Sequence, residues 1–403
     1  MKKRILFVDD EPLVLQGLER LLRSMRDQWE MEFVESGAQA LERFRRVTFD
    51  VVVSDMMMPG MNGVQLLQQV RSASPQTIRL ALSGHSDQQL AIQCVGVAHQ
   101  FLSKPCPAES LRSTLARVTG LGFAERSEKL LSLGRLERLP SPPAIHSQLV
   151  ALLDDPGSSL EKIGALMEGD VALTAHLLKS VNSSFFGLGR RVNKLADAVS
   201  FLGLETLKAL VMTAGLFEQG SLDAAGGYCA AAAAERGQMV GAAARVIAET
   251  ESASRELAHE CFLAGLLHDV GKLILACNLP GPFALLATAD REGRPADETE
   301  IFGTTHAEIG SYLLGLWGLP PALVEAIRWH HAPAESAARE FSALTAVHVA
   351  DHLVPRSPLD HRPSREVLDG AYLAALGLED RLPVWRDAVG KLFPSTPPAH
   401  CCP

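Results

Sequence analysis

Three carboxylates, a serine and a lysine stand where short apolar runs of this chain end, a combination able to form and hold an acyl-phosphate. Run 4–8 is followed by Asp9, Asp10 and Glu11, run 51–53 by Ser54 and Asp55, run 78–82 by Ser83, and run 100–102 by Ser103, Lys104 and Pro105. Carboxylates gathered at one edge repel each other unless a hard cation sits among them, and Mg²⁺ suits such oxygen ligands. Asp55 is the central candidate for attack. A carboxylate needs no deprotonation at neutral pH, while the metal and Lys104 would neutralise the transferring phosphoryl oxygens. Ser83 would hydrogen-bond the new phosphate, and Phe101 would swing inward as the loop after the fourth run moves.

A second group lies in 265–272, which reads GLLHDVGK. Adjacent His268 and Asp269 can offer an imidazole and a carboxylate to one metal, with the carboxylate also able to bridge a second. Lys272 is a candidate to act with them. His306 opens a helical segment, His330 and His331 close another, and Asp351 lies in HVADHL.

The elements that must position these residues fall into two classes. Runs 4–8, 31–34, 51–53, 78–82 and 100–102 alternate with helix-like segments, the pattern of a doubly wound α/β domain with five parallel strands. In such sheets the ligand site lies at the carboxyl ends of strands, where the candidate residues stand. A closing helix is expected at 107–119. Beyond Pro143 the periodicity is helical, clearest over 145–153, 159–168, 171–181, 195–217, 228–249, 255–276, 304–316 and 320–330, with further helices around 365–376 and 383–392. The expected organisation is an α/β domain over 1–120, a helical linker over 121–138, an all-α domain over 139–392 and a loose tail over 393–403.

With 403 residues, 47% of them apolar, the chain has material for more than one core. Residues 1–120 carry 14 Lys and Arg against 13 Asp and Glu, and the remainder 24 against 34. An output half so acidic argues against nucleic acid as a partner. No stretch suits a membrane span or a signal-peptide core, and the seven cysteines, without CxxC spacing, read as thiols of a reducing compartment, so a cytoplasmic protein is expected.

FVDDE, VVVSDMMMPGMNG, LALSGHSD and FLSKP, in this order and spacing, closely resemble the receiver domains of two-component response regulators. The resemblance implies that Asp9 and Asp10 bind Mg²⁺ and that Met57 contributes its backbone carbonyl. It further implies that Asp55 is phosphorylated, Ser83 is the switch hydroxyl, Lys104 contacts the phosphate, Phe101 is the switch aromatic and the Lys104–Pro105 peptide is cis. Beyond Leu139, the stretches LPSPP, DVALTAHLLKSVNSSFFG, AVSFLGLETLKAL, FLAGLLHDVGKLIL, THAEIGSYLLGLWGLP and AIRWHHAP resemble the HDOD output domains of the HD superfamily. A catalytic HD site needs an earlier histidine, and Arg236 aligns with it. The metal set is then incomplete, so a divalent ion in this pocket is not expected; Arg236 is expected to pair with Asp269 in its place. After His331 the chain lacks the Glu and the GYP segment associated with cyclic dinucleotide hydrolysis. The resulting expectation is a response regulator phosphorylated by a sensor histidine kinase and acting on a downstream signalling protein through a non-catalytic domain, with a homodimer left open. The alternative is a phosphorylation-regulated metal-dependent phosphohydrolase.

Overall fold

A computed structural model describes residues 2–83, 97–120, 139, 143–155, 157–181, 195, 197–200, 207, 228–291, 297–355 and 367–393. The first part is a parallel sheet of β1 (Lys3–Val8), β2 (Trp29–Val34), β3 (Val51–Asp55), β4 (Ile78–Ser83) and β5 (Gln100–Ser103), in the order β2-β1-β3-β4-β5. Helices α1 (Pro12–Leu21), α2 (Gly37–Phe44), α3 (Gly63–Ala73) and α4 (Ala108–Gly120) connect or close it. Ile5–Val8 and Val51–Val53 are buried on both faces, which is why these strands read as unbroken apolar runs. Ser36 caps α2, and Asn62 with Gln65 forms a capping box on α3, so both helices start beside the carboxyl edge of the sheet. The expected strands are all present; β2 begins at Trp29, earlier than its apolar run, because Trp29 is buried and paired with Lys3. The Lys104–Pro105 peptide is cis, as expected.

The second part is helical: α5 (Pro143–Asp154), α6 (Leu160–Glu168), α7 (Val171–Val181), α8 (Ala230–Thr250), α9 (Arg255–Leu267), α10 (Val270–Asn278), α11 (Pro280–Arg291), α12 (Glu298–Phe302), α13 (His306–Leu316), α14 (Pro321–Trp329), α15 (Ala343–Leu353), α16 (Gly370–Ala375) and α17 (Leu382–Leu392). Ser159, Ser254, Asp297 and Thr305 supply side-chain caps at the starts of α6, α9, α12 and α13. One expected helix divides: 255–276 breaks into α9 and α10 at His268 and Asp269. His268, whose backbone is still helical, and Asp269, at φ −97° and ψ 11°, form the turn between the two helices. The linker expected over 121–138, the tail from Pro394 and most of the helix expected over 195–217 lie outside the described residues.

Close helix approach depends on small residues. A Cβ at Gly241 or Gly265 would press on the facing helix backbone at 2.7 Å, so α8 and α9 can touch only because both positions lack one. At Gly271 a Cβ would lie 1.9 Å from the His306 carbonyl oxygen. Gly271→Ala must therefore push α10 away from the start of α13, and a stability loss of about 1–3 kcal/mol is expected. The urea midpoint reads it; an unchanged midpoint would show that the two helices do not meet there. Cys106, Cys261 and Cys277 are free thiols. Among the described residues no helix is long and apolar enough to cross a membrane.

Candidate functional sites

The first site forms because β1 and β3 are neighbours in register. Val8 lies beside Ser54, which places Asp9 next to Asp55 at the carboxyl edge. Asp55 is 5% exposed and Asp9 fully buried. Lys104, delivered by the end of β5, places Nζ 2.5 Å from Asp55 Oδ1 and 2.7 Å from Asp9 Oδ2. The Met57 amide donates to Asp55 Oδ2 at 3.0 Å, and the Glu11 amide donates to Asp9 Oδ1 at 3.0 Å. Burial raises the Asp55 pKa above its ordinary value, against the pull of Lys104. Burial works the other way on Lys104, but its bonds to Asp55 and Asp9 prevail and hold the ammonium charged.

Asp9, Asp10 and Asp55 each offer a carboxylate oxygen within 4.8 Å of the others. All-oxygen, anionic donors fit Mg²⁺. Gly63 serves the same site: a Cβ there would lie 2.2 Å from the Asp55 carbonyl oxygen, so only glycine lets α3 start against the loop after β3. Ser83 ends β4, one residue beyond Leu82, which pairs with Asp55. Phe101 is buried, 3% exposed, in the apolar cluster that continues into the helical half. The helix expected after β4 lies outside the described residues.

The second site gathers all seven residues read from the sequence. His268 and Asp269 come from the α9–α10 break, His306 from the start of α13, His330 and His331 from the end of α14, Asp351 from α15 and Arg236 from α8. Asp269 is central: its Oδ1 lies 3.1 Å from His306 Nε2, and its Oδ2 lies 3.3 Å from His268 Nε2 and 2.9 Å from Lys272 Nζ. His306 Nε2 and His331 Nε2 are 3.0 Å apart.

Arg236 does not pair with Asp269 as expected. Its guanidinium instead reaches Asp351 Oδ1 at 2.7 Å and donates to the Asp351, Val354 and Pro355 carbonyl oxygens. These carbonyls belong to the last turn of α15 and the residues after it, where a helix leaves acceptors unsatisfied and favours positive charge. Arginine is drawn to Asp351 because one planar fork can serve the carboxylate and the helix end together. Lys272, three residues after Asp269 on the next turn, takes the place beside Asp269.

Three imidazoles are pinned from behind. His268 Nδ1 meets the Gly265 carbonyl at 2.6 Å, His330 Nδ1 the Ile327 carbonyl at 2.7 Å and His306 Nδ1 the Glu298 carboxylate at 2.8 Å. Burial pushes the His268 and His330 pKa values down, for His330 well below the usual range. For His306 burial is outweighed by Glu298 and the bond to Asp269, and its pKa is pushed up to about 9. Asp269 is held well below the usual carboxylate range: burial opposes ionisation, but His268 and Lys272 outweigh it. Glu298 was not identified from the sequence. It stands in an acidic stretch, ADETE, with nothing in spacing or type to separate it from Asp297 and Glu300.

Comparison with known proteins covers both parts. Residues 5–116 match the response regulator receiver domain and residues 139–333 match the HDOD domain, so Asp351 lies beyond the second match. An uncharacterized protein of Treponema pallidum (strain Nichols) is 30% identical over 206 residues, which span 49% of this chain and 38% of that protein. The transcriptional regulatory protein YesN of Bacillus subtilis (strain 168) is 29% identical over 123 residues, 28% of this chain and 32% of that protein. The matched stretches thus cover well under half of these relatives. Among solved structures, the signal receiver domain of an HD domain-containing protein from Pseudomonas fluorescens Pf-5 is 28% identical. It covers 31% of this chain and 100% of its own, with a TM-score of 0.29. The MmoQ response regulator from Methylococcus capsulatus str. Bath is 25% identical and covers 62% of this chain and 98% of its own, with a TM-score of 0.46. The chain carries a response regulator receiver domain over residues 5–116, followed by an HDOD domain over residues 139–333.

Proposed function

We propose that this protein is a two-component response regulator that takes a phosphoryl group on Asp55 from a sensor histidine kinase and signals through protein interaction of its HDOD domain. In the transfer, an Asp55 carboxylate oxygen forms the bond to phosphorus as the donor's phosphorus–nitrogen bond breaks and the electron pair leaves with the imidazole. Mg²⁺ held by Asp9, Asp10, Asp55 and the Met57 carbonyl would neutralise the phosphoryl oxygens. Lys104 supplies a second cation, already oriented toward Asp55 by its bond to Asp9. Ser83 is assigned the hydroxyl that meets the bound phosphoryl group, and Phe101 the aromatic ring whose burial changes with it.

The observation that carries the non-catalytic reading of the second domain is Arg236. A hydrolytic pair of metal ions would require Asp351 and His268 as ligands, but a permanent cation already lies 2.7 Å from Asp351. No hydrolysis is therefore expected when the full chain, with Mn²⁺ or Fe²⁺, is incubated with linear and cyclic dinucleotides and phosphomonoesters. Metal-dependent turnover lost in His268→Ala would replace this reading with that of a regulated phosphohydrolase.

A further inference from the structure

Helix α13 serves both domains, with a different stripe of side chains for each. Ile309, Leu313 and Leu314 lie in the large apolar cluster that runs through the helical half. Tyr312 and Leu316, one turn apart, lie instead in the cluster that holds Leu111, Leu115 and Val118 of α4 and Leu102 of β5. Both are buried, at 2% and 0% exposure. This second stripe is confined to the later turns of the helix, since Glu308, one turn before Tyr312, is only half-buried. The helix packs against α4, where Thr114, on the flank beside the sheet-facing Leu111, Leu115 and Val118, is also buried.

The contact continues onto β5, which stands at one edge of the sheet, where an uncovered strand is open to pairing. Just after α13, Gly318 adopts φ +82°, and a Cβ there would lie 3.1 Å from the Gln100 side chain. Gln100 begins β5 and accepts from Arg117 of α4 at 2.7 Å. Trp317 is buried and shares an apolar cluster with Phe101 of β5. It stacks on His176 with ring centroids 4.8 Å apart, and His176 Nε2 accepts from the Leu139 amide at 2.9 Å. Both ends of the connection between the domains are thus tied to one place: α4 leaves it at Gly120, just after Arg117, and Leu139 enters beside Trp317.

We propose that the α4–β5 face of the receiver is a docking surface for this chain's own HDOD domain, so that the signalling unit is a single chain, with Asp55 free or phosphorylated. Eighteen residues, 121–138, join the two parts. Fully extended they reach no further than about 60 Å. A receiver confined within that radius is present at about 2 mM or more around its own HDOD domain. A second copy at about 10 μM is about 200-fold more dilute and would have to bind that much more tightly to take its place. For the phosphorylated protein this rests on the reading of Asp55 as the phosphoryl acceptor.

The test uses the full chain at that lower concentration with excess Mg²⁺. Asp55 is left free or occupied by beryllofluoride, which binds carboxylates as a phosphoryl mimic. Light scattering is expected to give the mass of one chain in both states. Hydroxyl-radical footprinting is expected to find Tyr312 equally shielded after about a hundredfold dilution, because a contact within one chain does not depend on concentration. Thr114→Arg and Gln100→Arg each place a long cation in the docking face, away from Asp55 and from the helical core. Each is expected to raise Tyr312 oxidation severalfold while beryllofluoride uptake persists. A mass of two chains in either state would overturn the single-chain unit. Shielding of Tyr312 that falls on dilution, or that survives in both variants, would overturn the docking. If the folded, unaltered chain takes no beryllofluoride, the Asp55 reading falls, and the footprint of the free protein still decides the docking.

Discussion

Incubated with acetyl phosphate and Mg²⁺, the unaltered chain is expected to gain one acid-stable, base-labile phosphoryl group, and Asp55→Asn to gain none. The Asp55 carboxylate is 5% exposed, where Asp9 is fully buried, and it lies 2.5 Å from the Lys104 ammonium, which stands 2.7 Å from Asp9. An amide has the same shape but lacks the anionic oxygen that forms the acyl bond. The loss should be complete, and it should not come from unfolding. Burial and the neighbouring Asp9 charge both work against ionised Asp55, so replacing it with a neutral group relieves repulsion. Intact-mass measurement reads the phosphoryl group, and thermal melting verifies that the variant is folded. Phosphoryl uptake undiminished in Asp55→Asn would remove Asp55 from its assigned role.

Arg236→Ala is expected to destabilise the HDOD domain by about 3–5 kcal/mol, the usual cost of leaving one member of a buried ion pair unpartnered. Arg236 and Asp351 are 4% and 1% exposed, so water cannot replace the guanidinium without opening the packing of α8 on α15. The loss has a second part: the carbonyls of Asp351, Val354 and Pro355 would be left without this donor at the end of α15. For a domain of this size the melting temperature should fall by about 10 °C. Arg236→Lys should recover only part of the loss, since one ammonium cannot serve the carboxylate and three carbonyls in the planar arrangement that guanidinium provides. An unchanged melting temperature for Arg236→Ala would show that the pair contributes nothing to the fold.

The receiver site was legible because its residues stand at strand ends. Once the runs before Asp9, Asp55, Ser83 and Lys104 are read as adjacent parallel strands, the topology brings their ends together without further information. The HDOD pocket was legible only in membership. His268, Asp269, His306, His330, His331, Asp351 and Arg236 were all identified, but helix periodicity reports which face is apolar and not which helix lies opposite. The partner of Arg236 was therefore misassigned to Asp269: both carboxylates are close by, and the choice of Asp351 follows from where α15 ends. The α9–α10 break was missed for a related reason. Gly265 and Gly271 flank His268 and Asp269 and are weak helix formers, but glycine inside a helical pattern is tolerated and does not by itself mark where a helix divides. Glu298 acts by position alone, and an acidic side chain in an acidic stretch carries no signature of that position.

The burial of Tyr312 and Leu316 in the receiver's cluster also bears on how the chain is made. Synthesis proceeds from the N-terminus, so the α4 face is complete when some two hundred residues separate it from its covering helix. At about 5–20 residues per second, the nascent receiver would stand for roughly 10–40 s with that apolar surface open to solvent. Until α13 has left the ribosome, the growing chain has an adhesive side that the finished protein does not.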